Sequence, residues 1–180
     1  DYAGWPFWVT VFLSVFLLYF QTAWEELVFR SYLYQGLGMW LRRRWLAIFL
    51  SSVFFAGMHM ANPEAMAYDV KMLFAYYFLT GAFLGILVVM EDNIYLAWAF
   101  HLANNFIAAV FFSYEGAALN TYALFRATEV DMSMLLPSSF FAFLILLLIL
   151  KRLRGWPDWS LLWTPVVLFE EITEGDSTFV

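Results

Sequence analysis

No cysteine occurs anywhere in the 180 residues, which excludes disulfides, thiolate catalysis and cysteine-based metal sites. Charge is scarce too. Asp, Glu, Lys and Arg make up 13% of the chain, about half the share found in soluble domains. So little polar surface leaves no room for a separate soluble catalytic or nucleic-acid-binding domain. No internal repeat or low-complexity tract is present. The opening segment, starting at Asp1, lacks the basic n-region and small-residue cleavage site of a signal peptide and is not expected to be one. What the chain has in abundance is apolar: 64% of its residues are hydrophobic, and aromatics alone make up 22% of the chain. The expected fold is all-α, a polytopic transmembrane helix bundle of about five spans, with any chemistry confined to the space between helices.

Residues 5 to 23 form the first apolar run, long enough to cross a bilayer, with Trp5 and Trp8 suited to the interface. Helical periodicity continues past Glu25 to Gly36, and Arg42, Arg43 and Arg44 then stand between Trp40 and Trp45 as an interfacial anchor. Further spans are expected at 45 to 60, 70 to 90, 94 to 113 and 138 to 150. The third carries Gly81 and Gly85, a small-residue stripe that allows close helix approach. Between the fourth and fifth spans lies a polar connector, 114 to 136. Of the nine Lys and Arg residues, 42 to 44, 151, 152 and 154 fall on one side, while Lys71 and Arg126 fall on the other. The positive-inside rule then places the N-terminus outside and the C-terminus in the cytoplasm. Residues 1 to 155 form the bundle. Residues 156 to 169, interrupted by Pro157 and Pro165, are expected to lie along the interface, and the last eleven form an acidic, disordered tail.

Against this background, Trp24-Glu25-Glu26-Leu27-Val28-Phe29-Arg30 stands out. An ionised group at membrane depth costs roughly 2.5–3.5 kcal/mol on insertion scales, so such residues usually mark function. Glu26 and Arg30 are spaced i,i+4 with the acid first, the favourable orientation for an ion pair, and are assigned a supporting role. Glu25 points about 100° away and is left as the carboxylate for general-base work. Arg42 lies seventeen residues from both Glu25 and His59, so an antiparallel hairpin turning there brings the two to about the same depth. Phe55 shares a helix face with His59 and can wall the site. His101 shares one with Asn105, offering two donors to a developing oxyanion; Asn104 faces elsewhere. By the same helical rise His101 is expected to lie about 10 Å shallower than the other two, unless the first hairpin extends beyond the bilayer. Taken singly, each group has an ordinary explanation as a helix-pairing or packing residue. Their convergence from three helices is what points to catalysis.

At these residues the sequence resembles the CPBP superfamily, the CAAX-prenyl-protease and bacteriocin-processing intramembrane endopeptidases. Glu25-Glu26-x-x-x-Arg30 matches EExxxR, Phe55-x-x-x-His59 matches FxxxH and His101-x-x-x-Asn105 matches HxxxN. The likeness covers roughly residues 20 to 110. It implies that Glu25 and His59 activate the hydrolytic water, that His101 and Asn105 stabilise the oxyanion, and that Glu26 and Arg30 support them. The implied substrate is a membrane-anchored or lipidated peptide or protein, cleaved without a cofactor. Zinc stays open through Glu25, His59 and His101, although the HExxH spacing of common zinc peptidases is missing. The chain is shorter than eukaryotic prenyl-protein members, which turns the expectation from a CAAX substrate toward a bacterial-type protein of the inner membrane. Two rival functions are a non-catalytic bacteriocin-immunity or scaffold protein of the same fold, and a proton-coupled carrier. The lack of an inverted repeat counts against the carrier.

Overall fold

The computed structural model describes residues 4–119 and 121–166; the acidic tail lies outside them. The chain begins with one helical rod in three parts: α1 (Trp5–Glu26), a π-helical stretch (Leu27–Leu33) and α2 (Tyr34–Leu41). Pro6 sits in the first turn, where its missing N–H costs nothing. Thr10, Ser14, Leu18, Thr22 and Glu26 are the buried residues of α1, a strict four-residue series. That stripe of mostly small and polar side chains lets α1 lie against α6 (Tyr95–Val110). Thr22 joins the two by accepting a hydrogen bond from Trp98 Nε1 at 3.1 Å.

Arg42 takes a left-handed conformation, φ 54°, and ends the rod. Arg43 is extended, and α3 (Arg44–His59) runs back antiparallel, so the hairpin expected from the Arg-rich turn forms there. α3 packs along α5 (Val70–Glu91) through the glycine stripe. A Cβ added at Gly81 would stand 3.1 Å from Ser52 Cα, and one at Gly85 would stand 3.0 Å from Ile48 Cγ2. Between α3 and α5 the chain forms only the single turn α4 (Glu64–Ala67).

Five helices build the bundle, but they are not five equal spans. Trp5–Leu41, Val70–Glu91 and Met132–Arg154 are long and apolar enough to cross a membrane. Arg44–His59 and Tyr95–Val110 have 16 residues each, about 24 Å at 1.5 Å per residue, short of a hydrocarbon core of about 30 Å. The last helix, α7 (Met132–Arg154), starts six residues ahead of the expected 138. Proline ordinarily ends a helix by removing a donor. Here the Asp131 carboxylate caps the helix by accepting from Ser133 N, and the helix runs on through Pro137 in its second turn, where the ring removes the donor that would reach the Ser133 carbonyl. Gly155, φ 63°, terminates it after Lys151, Arg152 and Arg154, whose charges suit a helix C-terminus.

The apolar core gathers Phe83, Leu84, Leu87, Val88 and Met90 of α5 with Ala97 of α6, and Phe143 of α7 stacks on Phe83. Trp156 plugs into the same cluster, and its indole N–H donates to Glu91 at 2.6 Å. Arg154 grips that carboxylate with two bonds of 2.9 and 2.8 Å. The segment after α7 is thus fastened to the end of α5 before a 3₁₀ turn, Trp159–Trp163. The connector adds something the all-helical reading did not contain, a short parallel pair of β1 (Phe112–Tyr114) and β2 (Phe125–Ala127).

Candidate active site

Glu26 continues the buried stripe of α1 and is fully enclosed. Its Oε1 lies 3.2 Å from Arg30 Nη1 and 2.7 Å from His101 Nδ1. An ionised carboxylate only accepts, so Nδ1 of His101 carries a proton and Nε2 faces the other way. There Nε2 stands 3.7 Å from Glu25 Oε2. The adjacent glutamates therefore address the two nitrogens of one imidazole. Arg30 is 2% exposed, directs Nη2 to the Gly81 carbonyl at 3.5 Å and lies over the Phe55 ring, 4.3 Å from its centroid. That cation–π contact compensates part of the cost of burying a guanidinium.

The π-helical stretch begins one residue after Glu26 and contains Arg30. Its i→i+5 bonding accommodates an extra residue per turn, so the faces before and after it fall out of α register; such stretches are frequent at functional sites. Gln21 and Glu25 before it and Phe29 within it face one cavity, while Arg30 packs against α3 and α5.

Glu25 is partly buried and is not without a neighbour. Gln21, one turn earlier, donates to Oε1, while Oε2 accepts no hydrogen bond from the described residues. His59 donates from Nδ1 to the Phe55 carbonyl at 2.7 Å, which leaves Nε2 as its acceptor. Phe55 lies beside that ring, 4.4 Å between centroids, and also meets His101 edge-on at 6.0 Å. Asn105 reaches Gln21 Oε1 at 3.5 Å, and Asn104 reaches Asn105 at 3.5 Å. His101 and Asn105 thus share a helix face as the spacing requires, but Asn105 is tethered through Gln21 to Glu25. The expected difference in depth between His101 and the first hairpin does not separate them, since His101 Nε2 comes within 3.7 Å of Glu25 Oε2.

Glu25, His59, His101 and Asn105 all line one cavity of about 610 Å³. Leu17, Leu18, Phe29, Leu73 and Leu135 give it apolar walls, and Glu64, Tyr77 and Tyr114 close another part. The polar lining residues Gln21, Glu64, Tyr77 and Tyr114 were not singled out from the sequence. Gln21 was within reach of such reading, four residues before Glu25 on the same face. Glu64 was not, because it follows Asn62-Pro63 in what reads as a turn. Its partners Tyr77 and Tyr114 stand 13 and 50 residues away.

A zinc ion held by Glu25, His59 and His101 would need those side chains gathered around one point. Among the described residues no group of three or more His, Asp or Glu side chains is so arranged. Arg30 also occupies the neighbourhood of the glutamates, a cation where a metal ion would bring a second positive charge.

A family model described as type II CAAX prenyl endopeptidase, Rce1-like, matches residues 5–107. The chain belongs to the Rce1-like family. The matched stretch runs from the start of α1 to the last turn of α6 and contains all three motifs, in agreement with the resemblance read from them. No curated protein and no solved structure matches the chain. At the level of the Rce1-like family the protein is a CAAX-type intramembrane protease, and with its long apolar helices it is an integral membrane protein.

Proposed function

We propose that the protein hydrolyses a peptide bond in a membrane-associated protein or peptide, using water activated by Glu25. The observation that carries this reading is the placement of Glu25 Oε2: buried, unbonded within the described protein, 3.7 Å from His101 Nε2 and on the wall of the cavity. In the proposed reaction Glu25 takes a proton from water as its oxygen attacks the scissile carbonyl carbon. His59 Nε2, whose orientation is set by the Nδ1 bond to Phe55, accepts a hydrogen bond from the same water. Charge developing on the carbonyl oxygen is met by Asn105 Nδ2 and, in its protonated form, His101 Nε2. The proton held by Glu25 then passes to the departing amine as the C–N bond breaks. Glu26 and Arg30 touch no substrate and hold His101 in place.

Family membership supports a membrane-associated prenylated protein as the substrate class, and the apolar walls of the cavity suit a prenyl chain. Purified protein in lipid should cleave a prenylated CAAX peptide and leave the unprenylated one largely intact, while Glu25→Ala should be inactive. A fully active Glu25→Ala would overturn the reaction. Activity surviving exhaustive chelation, with no metal in the preparation, is the outcome expected of a carboxylate mechanism.

A further inference from the structure

Glu64 is a buried acid that the hydrolytic reaction does not use. It is 3% exposed, five residues beyond His59, and accepts from the hydroxyls of Tyr77 and Tyr114 and from Ala118 N–H at 3.1 Å. Buried carboxylates need such donors, but these come from three separate places: α5, β1 and the connector. The Tyr114 phenol is pushed above its ordinary value, first by burial and then by its hydrogen bond to Glu64 and the charge there, so it stays a donor. Tyr77 is the informative partner. Its ring stacks on the His59 imidazole, 4.0 Å between centroids and 28° between planes, while its hydroxyl is turned to Glu64. The imidazole is thereby held by the Phe55 carbonyl at Nδ1, by the Phe55 ring and by the Tyr77 ring.

The geometry points to Glu64 and Tyr77 as a positioning pair for His59. Through Tyr114 and Ala118 the pair also ties the aim of the imidazole to the seating of the connector beside the cavity. This rests on the proposed role of His59. Without the Glu64 anchor, the Tyr77 ring keeps its bulk but loses the bond that fixes its tilt, and the imidazole loses the surface it lies on. Small displacements of this kind are costly, since reaction rates depend steeply on placement.

The chain has two histidines, so ring ¹⁵N spectra of histidine-labelled protein in micelles contain two imidazoles, assigned with His101→Gln. Tyr77→Phe and Glu64→Gln are expected to shift the His59 ring signals and leave those of His101 in place. Both should lower kcat by about tenfold with KM little changed, and the double variant should be no worse than either single one, as for residues acting as one unit. Unmoved His59 signals, or losses that add in the double variant and follow thermal stability alone, would overturn the pair. Absence of cleavage by the wild type would instead end the hydrolytic reading, with the spectra still deciding whether the pair holds the ring. Should Glu64→Gln fail to fold, Tyr77→Phe lacks only a hydroxyl and provides both readouts.

Discussion

At the scale of single residues, the two adjacent glutamates differ in what removing their charge should do. Glu26 is completely enclosed and shares Oε1 between Arg30 and His101, so Glu26→Gln leaves a buried guanidinium without its counter-charge. Breaking a buried pair in this way costs about 3–5 kcal/mol, and thermal denaturation should show a clear fall in Tm. Glu25→Gln keeps the shape and removes only the base. Its Tm should stay close to wild type while turnover falls by about 10²–10⁴-fold, the usual contribution of general-base catalysis. The pairing of Glu26 with Arg30 could be read from their i,i+4 spacing. The shared imidazole could not, because nothing local ties position 26 to position 101. Glu64 shows the same limit more sharply, since a carboxylate next to proline in a turn is ordinarily solvated.

At the scale of elements, the glycine stripe of α5 should be sensitive at both positions. A Cβ at Gly81 presses on the Ser52 backbone, and one at Gly85 meets Cγ2 of Ile48, a buried β-branched side chain with little freedom to turn aside. Gly81→Ala and Gly85→Ala should each therefore lower stability by about 1–3 kcal/mol, the range for overpacking, as measured by thermal unfolding in detergent. The start of α7 makes a pH-dependent case. The Asp131 carboxyl is held below its ordinary 3.8 by the Ser133 side chain first and the backbone N–H groups of Ser133 and Met134 next. A depressed value means that the cap contributes fully above pH 3.8 and fades as pH falls through the lower folded value. Amide protection at 132 to 135, corrected for intrinsic exchange, should weaken over that acid range in wild type, with Asp131→Asn removing the dependence. The helices and the hairpin turn were legible in the sequence because apolar runs and the Arg-rich break are local signals. The early start of α7 was masked by Pro137, and the small parallel strand pair by short segments with no alternation to mark them. The π-helical stretch was equally hidden, since LVFRSYL carries no breaker.

At the scale of the whole molecule, the arginines of the first hairpin and the basic end of α7 set an orientation that can be measured directly. With no native cysteine to remove, Arg43→Cys should be labelled by an impermeant thiol reagent only from the cytoplasmic side, and Arg126→Cys only from the opposite side. Reversed labelling would invert the assigned topology. The first helical rod, at 37 residues, measures about 55 Å. Even at a steep tilt of about 40° it still outreaches a hydrocarbon core of about 30 Å. Counting from Trp5 near one boundary, Glu25 comes roughly 30 Å along this rod. With the rod upright, the proposed hydrolysis would need no aqueous channel bored through lipid: a substrate's greasy anchor could remain among acyl chains while the bond to be cut is offered at the edge of the membrane, where bulk solvent replenishes each molecule consumed.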